Sequence, residues 1–583
     1  MKHKNIFIFL ALAFCSLVAV PARAAWSVAV DGGSGTAKIT DGNWTLVLYY
    51  SNATQARVKY SAHAGGTGVL DLTTVNADLQ DAGSSFRITE VDYQGFNSKS
   101  VLTEVYLPDY IKKLGEQSFM YCANLTKVCL SSEAVFVSTH TFSCCPNLET
   151  VYYNGVAPET GTVRIPASVT DMKNNVFEHG GSYNNGNTNR KIKRIYAPGI
   201  TAIQKNAFQS CAALEYVYAP NAKRVGEKAF QHCVALDTVV ISPELNYVGP
   251  AAFDNTGLKT LYPDGTQNPE EGTVLMPTTL TTMDNYGHFM NGNHFARFTK
   301  FIARGMTDVP NRAFQDCSQL VSVEFSPNLT ALRSNGDRSN ESPFYNCTAL
   351  KSISPSTWGA NFVIGPGTFR SCSSLTNYLD LSRTGIDTIP SMWAAYTSLE
   401  GVTFPASLTA LSGDQHFRQM QKGAKFRFLG DRPTSTATGS SSSFYTTGKN
   451  NTSQRHTFIV DAATYPAWTN GADFVAMADI DSNNDTRNAF STSSADFPTP
   501  EHPEETLGAT IWGSGDGRYN WVVQYVDHTK ADVTWMNGEA SFATTQTSPF
   551  LASPMRDRRS RPPRSHHRSS ESQRQSTHTL SHC

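Results

Sequence analysis

The side chains able to do chemistry in this chain are eleven cysteines, a polar run at 479–485, a glycine run at 513–517, two histidines in one loop and a periodic set of tyrosines. Asp479, Asp481, Asn483 and Asp485 have the oxygen-ligand spacing of a calcium loop, with Asn484 where glycine usually turns the chain. The twelfth position is Phe490 instead of a bidentate glutamate, which favours a solvated polar loop. Gly513-Ser514-Gly515-Asp516-Gly517 lies between two strand signals with no following helix, so a hairpin turn is expected in place of a nucleotide-binding loop. His288 and His294 stand alone in a polar loop. The serine-hydrolase G-x-S-x-G, the zinc H-E-x-x-H and the phosphate-loop motif are all absent, so the sequence points to no enzyme and no cofactor.

Seven cysteines fall at one place in a recurring pattern, F-x-x-C-x-x-L. The copies are Phe119-Cys122-Leu125, Phe142-Cys145-Leu148, Phe208-Cys211-Leu214, Phe230-Cys233-Leu236, Phe314-Cys317-Leu320, Phe344-Cys347-Leu350 and Phe369-Cys372-Leu375. Degenerate copies follow Phe96 (with Lys99), Phe253 (with Thr256) and Trp393 (with Tyr396), and Phe177, Phe289 and Phe417 read as eroded or inserted units. Adjacent copies are offset by 22 to 25 residues, inside the leucine-rich-repeat window. Equivalent side chains on stacked strands stand ~4.8 Å apart and parallel, further than a disulfide permits between Cβ atoms. These cysteines are therefore read as a ladder of small buried hydrophobes. No C-x-x-C pair offers a metal site. Cys129 and Cys144 lie off the ladder, and a local bridge between two of Cys129, Cys144 and Cys145 is left open.

After each leucine comes L-x-x-V-x-I/L/F-P, whose period of two marks a short strand that proline ends by having no N–H to give. Leu, Val and Ile point inward, so the residues on either side of Val face outward. The column after Val reads Tyr106, Cys129, Tyr152, Tyr196, Tyr218, Val240, Tyr262, Ile302, Glu324, Ser354, Leu379 and Thr403. Five of its first seven members are tyrosine and none of its last five is aromatic. The column before Val adds Glu104, Lys127, Arg194, Tyr216 and Lys300. Tyr106, Tyr152, Tyr196, Tyr216, Tyr218 and Tyr262 are thus candidate ligand contacts, since tyrosine gives large contact area at little entropic cost. The other reading is that cross-strand tyrosine pairs only stabilise the sheet, by roughly 0.2–1 kcal/mol each.

A single coil cannot bury enough apolar surface to offset the entropy of ordering it, so the coils must stack. The expected architecture is a repeat solenoid: a right-handed coil with a parallel β-sheet, about 12–13 units of 22–25 residues, flanked by small β-rich segments. Units such as Ala207-Phe208-Gln209-Ser210-Cys211-Ala212-Ala213-Leu214-Glu215-Tyr216-Val217 resemble the BspA-like leucine-rich repeats, over about 60 % of the chain. The resemblance implies a secreted or surface protein of bacteria, without catalysis, that binds matrix proteins, cells or polymers.

Organisation and charge agree with export. Segment 1–24 carries Lys2 and Lys4, an apolar run too short to span a bilayer, and Ala22-Arg23-Ala24, the pattern of a cleaved signal peptide. Leu12-Ala13-Phe14-Cys15 meets a lipobox only roughly, Phe14 being too large for its place. The expected divisions are a β-rich cap at 25–85, the solenoid at 86–433, a Ser/Thr-rich loop at 434–454, a β-rich segment at 455–535 and a basic tail at 536–583. That tail, with seven arginines and no lysine from Arg556 onward, is expected to be disordered and reads as if translated out of frame. The net charge of −1 conceals this, because the basic ends offset an acidic body. Charged residues are only 17 %, against about 25 % on average, which excludes a nucleic-acid binder held by bulk charge. Expected partners are an extracellular protein or glycan, with no integral membrane segment after signal cleavage; capture of glycans or peptides for nutrient uptake is the alternative. Nothing in the sequence sets an oligomeric state.

Overall fold

The structure is a computed structural model. It describes residues 25–460 apart from 32–34, 53, 82, 85, 180–187, 284–296, 335–340, 421–422, 436–442 and 445–455. Five later strands are also described. The 479–485 run, His288, His294, the signal segment and the tail apart from strand Ser541–Phe542 lie outside the described residues.

The alternating Val-x-Ile segments form the long wall. Thirteen parallel strands, from Val69–Asp71 through Glu104–Tyr106 and on to Ser352–Ser354, hydrogen-bond side by side. A second parallel sheet continues with Tyr378–Asp380, Gly401–Phe404, Lys425–Phe428, Thr457–Ile459 and Ala489–Ser491. Between the two, Asn377 acts as a substitute strand: its side-chain oxygen accepts from Ile353 N–H at 2.7 Å and its amide donates to Ile353 O at 3.3 Å. Two-residue strands such as Ala202–Ile203, Arg224–Val225 and Tyr247–Val248 build the return wall in shorter parallel sheets. The fold is the expected leucine-rich-repeat solenoid, almost without helix.

The phenylalanines meet as a ladder. Phe96, Phe119, Phe142, Phe177, Phe208, Phe230 and Phe253 stack in succession with ring centroids 5.2–5.8 Å apart. The stack recurs at Phe314, Phe344 and Phe369, turns edge-on at Trp393, and closes with Phe417 on Phe444 at 5.2 Å. Phe444 thus sits in the ladder although its surroundings in sequence are mostly Ser, Thr and Gly. Most of these phenylalanines lie in a tight corner whose flanking residues, two before and two after, take positive φ, as Asn206 (53°) and Ser210 (62°) do around Phe208; at Phe177 and Phe344 one flank alone does, Asn175 and Asn346. That corner turns alternate N–H groups toward the next coil: Asn206, Phe208 and Ser210 donate to the carbonyls of Glu227, Ala229 and Gln231.

The cysteine ladder has a hydrogen-bonding function beyond filling space. All nine described cysteines are free and buried, Cys129, Cys144 and Cys145 among them. Cys122, Cys145, Cys211, Cys233, Cys347 and Cys372 each donate S–H to the carbonyl of the preceding coil's phenylalanine, at 2.9–3.3 Å. Burial pushes the Cys122 thiol up to about 12 and raises the others, so they stay protonated donors. The register corrects one assignment. In the Trp393 unit the positive-φ residue is Tyr396 (63°), and fully buried Thr397 takes the place of cysteine. One extra residue separates it from Trp393, which is why the fixed spacing picked Tyr396.

An antiparallel meander, Ser27–Asp31, Thr36–Thr40, Trp44–Asn52 and Gln55–His63, seals the first coil. Its last strand joins the return wall by pairing parallel with Arg87–Val91, and Trp44, Leu46 and Leu48 cover the open end of the core. A separate unit spans 501–583 and holds four antiparallel strands. Two of them, Ala509–Gly513 and Asn520–Asp527, pair antiparallel on either side of the glycine run, as a hairpin requires.

Two predictions follow from the packing. Peptide-mapped thiol alkylation at pH 8 should leave the seven ladder cysteines unmodified until denaturant is added; ready labelling of Cys233 in the native protein would contradict the ladder. Burial also holds His416 and His456 down at about 4, below the ordinary value near 6.5. Both fold neutral, so their contribution is complete above about pH 6.5 and is lost as pH falls toward 4, up to roughly 3 kcal/mol each. The double variant His416→Phe, His456→Phe should lose less thermal stability between pH 7 and 4.5 than the native chain; an equal loss would count against this.

Candidate ligand-binding face

Strand pairing fixes which side chains share the outer face. Val105, Val128, Val151, Ile195, Val217, Val239 and Leu261 all point into the core and are fully or almost fully buried. The residues flanking them therefore form two outward columns. Tyr106 is aligned with Cys129, Cys129 with Tyr152, Tyr196 with Tyr218, and Val240 with Tyr262. The structure inserts a member that the repeat pattern missed: Arg164 of strand Thr162–Arg164 is aligned with Tyr196, between it and Tyr152. Leu275 likewise enters between Tyr262 and Ile302. Both belong to units lacking an intact F-x-x-C, though Val163-Arg164-Ile165-Pro166 and Val274-Leu275-Met276-Pro277 repeat the strand-ending signature.

One assigned member leaves the column. Leu379 is aligned with Val402 and fully buried, while Asp380 stands beside Thr403 in the outward position. The extra residue after Leu375 shifts the strand by one place, and a shift of one reverses the faces. Tyr378 thereby becomes an outward aromatic; its hydroxyl is hydrogen-bonded to that of Thr403.

The six candidate tyrosines fall into two groups. In the first, Tyr152 is only 4 % exposed although it points outward, and Tyr106 donates to Glu104 Oε2 at 2.5 Å, an oxygen that also pairs with Lys127 at 3.3 Å. These side chains mainly satisfy one another. In the second, Tyr196, Tyr216, Tyr218 and Tyr262 are half-buried. Tyr196 lies 5.6 Å from Tyr216 and 6.4 Å from Tyr218, with the rings tilted 45° and 48°. The Arg164 guanidinium sits 5.7 Å from the Tyr196 ring, within cation–π range. This group forms a cluster of half-buried rings.

Burial shifts the phenols in one direction. Desolvation pushes Tyr152 and Tyr216 up to about 12, and raises Tyr218 with help from the Asp264 carboxylate, which its hydroxyl contacts. The face consequently offers neutral hydroxyl donors throughout the physiological range. It holds no nucleophile with a lowered pKa. Among the described residues, no group of three His, Cys, Asp or Glu is placed to hold a metal ion. Nor is any helix there long and apolar enough to cross a membrane.

A stacked parallel wall, an interior ladder and a side-chain-bearing outer face define a leucine-rich-repeat solenoid. The family described as "BspA type Leucine rich repeat region (6 copies)" matches residues 78–183, 159–268 and 288–422, and the chain belongs to it. Proteins of this type are typically surface or secreted and bind instead of catalysing. No curated protein matches the sequence. Similar solved structures include a leucine-rich repeat protein from Bacteroides ovatus, 16 % identical, covering 66 % of this chain and 92 % of that one with a TM-score of 0.44. A leucine-rich cell surface protein from Faecalibacterium prausnitzii is 18 % identical over 64 % of this chain and 90 % of its own, TM-score 0.32. The pneumococcal vaccine antigen PcpA is 13 % identical over 78 % and 98 %, TM-score 0.35.

Ultraviolet titration checks the phenol environment. The variant Tyr216→Phe should leave the absorbance change between pH 9.5 and 10.5 as it is in the native chain and reduce the change near pH 12; a reduction near pH 10 would show that Tyr216 is freely solvated.

Proposed function

We propose that this chain is exported by its first 24 residues and acts at the cell surface or in the surrounding medium as a non-enzymatic binding or adhesion protein. It recognises an extracellular protein or polymer through the outer face of the long sheet. The observation that carries this reading is the second tyrosine group. Four half-buried rings at Tyr196, Tyr216, Tyr218 and Tyr262 are gathered on neighbouring coils of a rigid wall. Aromatic residues held with few free rotamers are those enriched at recognition surfaces. Family membership supports the same role, since a solenoid of this kind exposes one broad, preformed face and encloses no pocket for catalysis.

The test is a binding array of matrix proteins and glycans probed with the mature chain and with a variant in which Tyr196, Tyr216, Tyr218 and Tyr262 are all serine. The variant should keep its circular dichroism and lose at least tenfold in affinity for whatever the native chain binds. Undiminished binding by a correctly folded variant would overturn the assignment of this face.

A further inference from the structure

Two connections in the long sheet differ from the others that the described residues trace. Strands Thr150–Tyr153 and Thr162–Arg164 are parallel neighbours joined by residues 154–161 alone, and Thr260–Pro263 and Thr273–Leu275 are joined by 264–272 alone. In units such as 194–218, 216–240 and 300–325 the chain travels round the return wall, through Ala202–Ile203, Arg224–Val225 and Asp308–Val309, before rejoining the sheet. A link of eight or nine residues between parallel neighbours has to bring the chain back along the strand, and the core side is filled with packed side chains. It returns across the outer face. The burial pattern agrees, because Thr150, Tyr152, Thr162 and Thr273 all point outward yet are only 3–4 % exposed.

The two loops bracket the tyrosine group. From the first, Glu159 reaches Arg194 at 2.9 Å. From the second, Asp264 meets the Tyr218 hydroxyl and Glu271 pairs with Lys259. Arg164 and Tyr262 stand at the two rims, four strand spacings apart, or about 19 Å. The floor between them carries ring faces, hydroxyls and Thr238, with Val240 too buried to offer an apolar anchor. Arg164 is exposed and makes no ion pair among the described residues, whereas Arg194 beside it is neutralised by Glu159.

We infer that this walled trough is a subsite for an acidic oligosaccharide, one bearing uronate or similar carboxylates. The inference rests on the reading of the outer face as the binding surface. Flat rings and hydroxyls fit a polyhydroxylated chain that presents alternating apolar and polar faces. A peptide would be expected to seek apolar pockets for its anchor side chains, which the floor lacks. The uncompensated guanidinium supplies a forked donor set for one carboxylate, in a body whose charge is otherwise acidic.

The experiment measures, by calorimetry, binding of a short oligogalacturonide to the whole mature chain, with its methyl-esterified counterpart and poly-L-glutamate as comparisons. The oligogalacturonide should bind and weaken with added salt; the ester, whose carboxylates are replaced by neutral methyl esters, should bind at least about tenfold more weakly. Arg164→Gln should lower the acid's affinity to about that of the ester, erasing the difference and the salt dependence, and Tyr196→Ser should weaken both ligands. Equal binding of acid and ester, an unaffected Arg164→Gln variant, or equally tight binding of poly-L-glutamate would each overturn the inference. If no saccharide binds but the four-tyrosine variant loses another partner on the array, the trough assignment fails and the face assignment stands.

Discussion

The structure depends on the contact between one coil and the next. No coil has a core of its own: a phenylalanine at its corner finds its neighbours only in the coils above and below, and the carbonyl of that phenylalanine is satisfied by a thiol from the following coil. Stacked rings are worth roughly 0.5–1.5 kcal/mol beyond their buried area, and an unsatisfied buried carbonyl costs about 1–3 kcal/mol. Both contributions disappear if two coils separate. The ladder therefore makes the strands line up, and the lined-up strands in turn place every outward side chain at a fixed spacing from its neighbours.

The periodic part of this was legible in the sequence because sterics left few choices. Cys233 and Phe230 recur with their partners at constant spacing, since a small donor is required wherever the corner carbonyl faces inward. What escaped the pattern lies where residues were inserted. The place of cysteine in the Phe177 unit is taken by Asn189, which bridges to Cys211 and donates to the carbonyls of Cys145 and Leu148 at 3.1 and 2.8 Å. Segment 180–187 separates it from its phenylalanine. A side-chain amide stands there in the thiol's position and ties to the same preceding coil through different carbonyls, those of Cys145 and Leu148, and nothing in the local sequence announces it. Leu379 and Tyr396 were displaced for the same reason, a single residue moving each partner by one position.

The face shows a similar division. The tyrosines were readable because outward positions alternate strictly along a strand. Their separation into a self-satisfied group around Tyr152 and an accessible group around Tyr196 was not, because the loops that cover one and border the other connect strands by a route that the repeat does not use. Arg164 was hidden with them. The two irregular connections therefore change the outer wall from a uniform surface into one with a bounded aromatic segment, while the interior ladder continues through Phe177 undisturbed.

The central claim, that this bounded segment is where the molecule meets its partner, is tested most directly by tyrosine footprinting. The mature chain would be lightly nitrated with and without a saturating partner and the modified positions mapped by mass spectrometry. The account predicts protection at Tyr196, Tyr216, Tyr218 and Tyr262, with exposed Tyr93 and Tyr121 modified equally in both states. Protection of Tyr93 or Tyr121 with continued modification of Tyr196 and Tyr218 would contradict it.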